Sequence, residues 1–150
     1  MKIVLESFML KIKNNKELFI STDGGSRGNP GPSAIGVVIK DKNNKVISEV
    51  SKFIGITTNN VAEYLAVIYG LQECAFIGAE TLVLNVDSQL IARQLTGKYK
   101  VKDSNMRIFH GIATNLMRFF KKVTIVEVPR EDNHESDKLV NKAFENKTLL

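Results

Sequence analysis

Four carboxylates, Asp23, Glu63, Asp87 and Asp137, carry the chemistry that this sequence suggests. Asp23 follows the run ELFIST at 17–22 and Asp87 follows TLVLNV at 81–86, so each is expected at the carboxyl end of a β-strand. Ligands of open α/β sheets collect at such ends, where strand order reverses. If the two strands are parallel neighbours, both carboxylates emerge at one edge. Glu63 is expected in the first turn of one helix and Asp137 in the first turn or two of another, and helices flanking a sheet can aim such groups at the same edge. Four acids gathered this way repel one another, which raises their pKa values and destabilises the fold unless cations are present. Hard divalent cations with oxygen ligands are the natural remedy, and Mg²⁺ uses a few carboxylates together with waters and substrate phosphates. Two such ions about 4 Å apart can activate a water and stabilise the leaving oxygen of a phosphodiester. Each acid also has an ordinary reading: a strand-end Asp is commonly solvated or caps a turn, and an acid early in a helix is favoured by the macrodipole.

Whatever positions these groups must be built from a chain of 150 residues, a length that suits one domain. Residues 17–22, 34–40 and about 46–55 read as three strands of an antiparallel meander, with Asn43-Asn44 in the second turn. The GGSRGNPGP stretch after Asp23 is too rich in Gly and Pro for regular structure and is expected to be a turn. Capping side chains at Thr57-Thr58-Asn59-Asn60 open a helix from about 60 to 78, apolar at Val61, Leu65, Ile68 and Leu71 and closed by Gly78. The strand 81–86 is mostly apolar, the mark of one buried on both faces. Helices at 88–95 and about 104–120, a strand at 123–128 and a helix from near Asn133 complete the order. The expected architecture is α/β: a five-stranded mixed sheet, three antiparallel strands followed by parallel ones, flanked by helices.

Composition narrows the partners. Twenty-one Lys and Arg against sixteen Asp and Glu give a net charge of +5 and favour a polyanion. No apolar run approaches the roughly 20 residues of a membrane span. Residues 1–16 lack a continuous apolar core and a small-residue cleavage site, so a signal peptide is not expected and a cytoplasmic location is. Cys74 is the single cysteine, which leaves no intrachain disulfide, and its helical apolar setting predicts a buried, inert thiol. No Cys/His cluster has zinc spacing, so any metal must be held by oxygen.

The context of each acid resembles type 1 ribonuclease H. Thr22 to Pro32 (TDGGSRGNPGP) looks like that family's first block, Thr58 to Glu63 (TNNVAE) its TNNxxE block, and Asp87-Ser88-Gln89 its DSQ block. Asn133 to Leu139 (NHESDKL) is similar to its closing block. The four blocks stand in the family's order over roughly residues 17–145. The resemblance implies a ribonuclease H-like fold in which Asp23, Glu63, Asp87 and Asp137 are the catalytic, metal-binding set for two Mg²⁺ ions, with Mn²⁺ as a substitute. It implies hydrolysis of the RNA strand of an RNA–DNA hybrid, leaving 3′-hydroxyl and 5′-phosphate ends. It further implies that Gly24, Gly25, Ser26, Asn29, Thr58, Asn59 and Gln89 line the substrate groove. Gly-rich backbone permits close approach of a sugar–phosphate chain, and amide side chains can bond a 2′-hydroxyl without reading bases. Little sequence specificity is therefore expected, in a protein that works as a monomer with no protein partner. Turn and cap chemistry is the competing reading of the same polar residues.

The chain departs from the family pattern in three places. Better-known bacterial members carry a His in the loop before the final acid; His134 lies only three residues before Asp137 and reads as a helix-start residue, while Arg130 is a candidate phosphate contact. A basic residue common in the family's phosphate pocket is Val61 here, with Thr58 and Asn29 retained. A basic, Trp-bearing insertion is absent, as in the compact branch of archaea and some bacteria, and Lys98, Lys100 and Lys102 are candidates for replacing it. His110 falls in a predicted helix and reads as structural. Residues 1–16 form an extension without an assigned role, and 17–150 form the domain. Rival readings are a nuclease of this fold acting on another duplex, and a binding module without catalysis; retention of all four acids speaks against the latter. A phosphate-binding loop of the GxxxxGK[ST] kind is absent.

Overall fold

The computed structural model describes residues 1–147, and at positions 8 and 10–14 the backbone alone. Residues 148–150 of the expected domain lie outside the described residues. The elements run α1 (Lys2–Asn14), β1 (Glu17–Ser26), β2 (Gly31–Lys40), β3 (Val46–Thr57), α2 (Asn59–Ile77), β4 (Thr81–Val86), α3 (Gln89–Leu95), α4 (Ser104–Met117), β5 (Lys122–Glu127) and α5 (His134–Lys147), with a short 3₁₀ turn at Arg130–Asp132. One five-stranded sheet has the order β3-β2-β1-β4-β5. β1, β2 and β3 pair antiparallel, and β1–β4 and β4–β5 pair parallel. This is the mixed sheet expected.

Period-2 alternation sorts the sheet's side chains onto two faces. Leu18 and Ile20 of β1, Ile35, Val37 and Ile39 of β2, and Leu82, Leu84 and Val86 of β4 join Tyr64, Val67 and Leu71 of α2 and Ile91 of α3 in the main core. Burying each such aliphatic side chain fully is worth about 1.5–3 kcal/mol. α5 covers the opposite face with a smaller cluster, in which Val140, Ala143 and Phe144 meet Ala34 and Phe53. Cys74 is fully buried in the main core, as its setting predicts.

Several expected boundaries are corrected. β1 does not stop at Thr22: its ladder with β2 continues through Asp23↔Gly36, Gly24↔Ile35, Gly25↔Ala34 and Ser26↔Ser33. Gly24 and Gly25 are therefore strand residues over which helices pack closely, not turn formers, and the turn shrinks to residues 27–30. β2 accordingly starts at Gly31 rather than 34. α2 starts at Asn59 behind the N-cap Thr58, which puts Glu63 in its second turn, not its first. Gly78 closes α2 with a left-handed φ of 90°, as expected. α4 ends at Met117 because Arg118, Phe119 and Phe120 bond three residues back, and the backbone N–H of Lys121 is taken by the Glu80 carbonyl. The unassigned N-terminal residues form α1, with Met1, Ile3 and Val4 exposed. Among the described residues no helix is long and apolar enough to cross a membrane.

Candidate active site

Strand register brings the first two acids together. The parallel β1–β4 ladder ends at Thr22↔Val86, so Asp23 and Asp87 are the next residues on neighbouring strands, which lie about 4.8 Å apart. Two glycines bring in the other two. A Cβ at Gly24 would collide with the Ala62 carbonyl and fall 2.6 Å from the Glu63 nitrogen, so α2 packs backbone to backbone on β1 at the residue before Glu63. A Cβ at Gly36, the partner of Asp23 on β2, would collide with the Ser136 carbonyl and fall 3.0 Å from Leu139 Cβ. α5 therefore seats on the other face at the residue before Asp137. In each case only a missing side chain permits the approach.

The electrostatics register the crowding. Asp23 is pushed up from its ordinary 3.8 to about 8, first by burial, then by Asp87, Asp137 and Glu63, and by a side-chain hydrogen bond with Asp137. A protonated Asp23 donates that bond and keeps one carboxyl of the cluster neutral. Glu63 is raised from 4.5 to about 7 by burial; a hydrogen bond from Ser88 opposes this, Asp87 adds to it, and Arg130 opposes it. All four predicted acids thus interact in one cluster, with Ser88 and Arg130 at its margin. Among the described residues, no group of three or more His, Cys, Asp or Glu side chains is placed, as the side chains stand, so that it could hold a metal ion. The donor chemistry nonetheless suits a hard cation: oxygen donors, four carboxylates only partly offset by Arg130, and an open edge where waters and phosphates would complete a shell.

Asn133 was missed as a functional residue by the sequence reading. It is 2% exposed. Its Nδ2 donates to the Thr22 carbonyl at 2.9 Å and to Asp87 Oδ2 at 3.0 Å, and its Oδ1 accepts from Ser136 Oγ at 2.7 Å. Ser88 was also missed in this role: as N-cap of α3 it accepts from the Ile91 N–H, while its hydroxyl reaches Glu63. Ser88, expected as the first residue of the helix 88–95, is instead its N-cap, and nothing in the local sequence pointed to its contact with Glu63 or to the role of Gly36.

The expected groove residues mostly serve as caps and packing. Asn29 Oδ1 accepts from the Asn59 N–H at 3.0 Å, and Asn59 Oδ1 accepts from the Ser26 N–H at 3.3 Å. Ser26 Oγ donates to the carbonyls of Gly28 and Thr57, and Thr58 Oγ1 accepts from the Val61 N–H. The network ties the β1–β2 turn to the start of α2. Beside it, Asn29, Thr58, Asn60, Val61, Asp103 and Met106 line a cleft of about 330 Å³. The side-chain position of Gly24 is filled by α2, not open to a groove, and that of Gly25 faces Val140 of α5 at 3.8 Å. Gln89 is the exposed first residue of α3.

Arg130 lines an open cleft of about 490 Å³ with Glu131, His134 and Asp137. His134 is the first residue of α5, as expected, and shares that cleft. Lys98 and Lys100 lie on the exposed loop between α3 and α4, where Lys100 and Lys102 line a separate groove with Tyr99 and Arg107. That loop spans only residues 96–103, so no further element intervenes there. His110 Nε2 meets the Gln94 carbonyl at 3.2 Å and its ring stands edge-on to Tyr64, which fits its structural reading.

Comparison with known proteins agrees with this architecture. The family model described as reverse transcriptase-like matches residues 21–143. The ribonuclease HI of Halobacterium salinarum is 40% identical over 123 residues, which cover 82% of this chain and 62% of that protein. Its crystal structure superposes with a TM-score of 0.84, covering 87% of this chain and 98% of that one. A bifunctional protein of Mycobacterium tuberculosis is 37% identical over 130 residues, 86% of this chain but 36% of its own length. The present chain therefore spans less than two thirds of these curated relatives. A compost metagenome enzyme, LC11-RNase H1, solved in complex with an RNA/DNA hybrid, superposes with a TM-score of 0.83 at 39% identity, covering 87% of this chain and 99% of that one. On the family match across residues 21–143 and these relatives, the chain belongs to the reverse transcriptase-like family and, within it, to the type 1 ribonucleases H.

Proposed function

We propose that this protein is an endonuclease that hydrolyses the RNA strand of RNA–DNA hybrids with two divalent metal ions, leaving 3′-hydroxyl and 5′-phosphate ends. The observation that carries the reading is the convergence of Asp23, Glu63, Asp87 and Asp137 from β1, α2, β4 and α5 into one cluster that raises Asp23 to about 8. A relative that binds an RNA/DNA hybrid at 39% identity supports the substrate class. Asp23, Glu63, Asp87 and Asp137 would hold the ions, whose chemistry is activation of a water and stabilisation of the leaving oxygen. Ser88 and Asn133 hold Glu63 and Asp87 in place, and Arg130 offsets negative charge near Glu63 at a point where a substrate phosphate can approach. Asn29 and Asn59 use their Oδ1 atoms as caps, which leaves each amide's Nδ2 as the end that can meet a 2′-hydroxyl. These contacts read sugar and phosphate rather than bases, so cleavage is sequence-tolerant.

The test is cleavage of matched labelled RNA–DNA, RNA–RNA and DNA–DNA duplexes and single-stranded RNA, each with Mg²⁺, Mn²⁺ or EDTA. Metal-dependent cutting of the RNA strand in the hybrid alone is expected. Cutting of another duplex with equal efficiency would overturn the substrate, and cutting in EDTA would overturn the metal mechanism.

A further inference from the structure

We propose that Asn133 is a positioning residue: it latches α5 to the β1–β4 seam and presents one face of the Asp87 carboxylate to the cation. The inference rests on the metal-binding reading above. The Asn133 amide is buried, and both of its donor hydrogens are used. One holds the carbonyl of Thr22, the residue before Asp23; the other holds Oδ2 of Asp87. The Asp87 carboxylate therefore cannot rotate without breaking a part-buried bond, and a cation would meet it in a fixed orientation. The acceptor end of the amide is fixed in turn by Ser136 Oγ, which also bonds the Asn133 carbonyl at 3.1 Å. Asp137 donates its N–H to the same carbonyl at 3.3 Å, and the Ser136 carbonyl sits where a side chain on Gly36 would be.

One side chain therefore connects three of the four acid-bearing elements. Removing it would do more than lower stability. Asp87 would lose its orienting donor, and α5 would lose its polar tie to the strand that carries Asp23. Another residue at the position could fill the space, but a side chain with two donors and one acceptor in a single plane is needed to hold a carbonyl, a carboxylate and a hydroxyl together. Outer partners of metal ligands act in this way, by fixing the ligand's orientation and basicity.

The test measures Mn²⁺ binding to the metal-free full chain, read as the electron paramagnetic resonance signal of free Mn²⁺, alongside hybrid cleavage and a urea unfolding curve. Asn133→Ala is expected to weaken Mn²⁺ binding by ~10–100-fold, as loss of an outer partner does. kcat should fall, KM for the hybrid should stay near the wild-type value, and high Mg²⁺ should restore part of the rate. A purely structural residue would shift the unfolding midpoint and leave the Mn²⁺ affinity of the folded protein unchanged; that result would overturn the proposal. If Asn133→Ala does not fold, Ser136→Ala, which frees the amide without removing it, is expected to weaken Mn²⁺ binding several-fold, and wild-type affinity there would overturn it. A wild-type chain that binds no Mn²⁺ overturns the metal reading and the latch together. A wild-type chain that binds Mn²⁺ but leaves hybrid intact overturns the activity alone, and the latch is then judged on the binding data.

Discussion

Asp23→Asn replaces a carboxyl that the fold holds among three other acids with a neutral group of the same shape, so its effects on stability and on activity have opposite signs. Asp23 in the folded chain stays protonated to about 8, against an ordinary 3.8. A raised folded pKa gives stability that is fully present below 3.8 and is lost as pH rises through 8. Between pH 5 and pH 9 the metal-free wild-type chain loses this contribution. Three pH units, from 5 to 8, at about 1.4 kcal/mol each set a ceiling of about 4 kcal/mol. Counter-ions and entry of water into the open cluster reduce that to on the order of 2–4 kcal/mol. The substituted amide does not titrate, so the variant should gain on the wild type by that amount between the two pH values. Urea unfolding in EDTA at pH 5 and pH 9 measures it, with linear extrapolation and equal m-values as the condition for comparison. Mg²⁺ should shrink or reverse the gain at pH 9, because an ion bound only to the folded wild type stabilises it by mass action. Hybrid cleavage by the variant should be lost while hybrid binding persists. A stability difference that is flat between pH 5 and pH 9, or a variant that is less stable than wild type at pH 9 without metal, would refute the argument that buried like charges set this site.

Gly36→Ala forces a methyl group into the Ser136 carbonyl, where neither the central strand nor α5 can yield cheaply; overpacking of about 1–3 kcal/mol, or more, should appear in a urea midpoint, and Mn²⁺ affinity should fall with it because Asp137 is displaced. Arg130→Ala should weaken hybrid binding and reduce the slope of log K against log salt by about 0.9 if it neutralises one phosphate; an unchanged slope would remove it from the interface. Lys98→Ala and Lys100→Ala should leave kcat as it is and, if the loop between α3 and α4 meets the duplex, each lower that slope by a similar amount. Raising the pH from 6 to 9 at limiting Mg²⁺ should increase cleavage and tighten apparent Mg²⁺ binding, since protons compete with the cation for Asp23 and Glu63, which are raised to about 8 and about 7 in its absence; an apparent Mg²⁺ affinity that falls over that range would contradict this sign.

Element types, their order and the four acids were legible in the linear chain, because each depends on local rules. Short apolar runs bounded by turn residues marked the strands, Thr58 and Gly78 bracketed α2 by cap chemistry that acts within a few residues, and the blocks around Asp23, Glu63, Asp87 and Asp137 are contiguous motifs. Read from neighbours alone, however, the Gly-Gly after Asp23 has the composition of a turn. Only packing showed that Gly24 is a strand residue, and that the missing side chains of Gly24 and of Gly36, already expected in a strand, admit α2 and α5 from opposite faces. Asn133, which bonds Thr22 across 111 positions and Asp87 across 46, has no short-range signal that could reveal its partners. The raised pKa values of Asp23 and Glu63 likewise belong to no residue singly; they arise from burial and from charges that meet through space. Sequence by itself determined which groups are available and on which elements they ride. Tertiary structure alone decided how close they come and what holds them there, because distance between strands and helices is set by long-range packing rather than by neighbours along the chain.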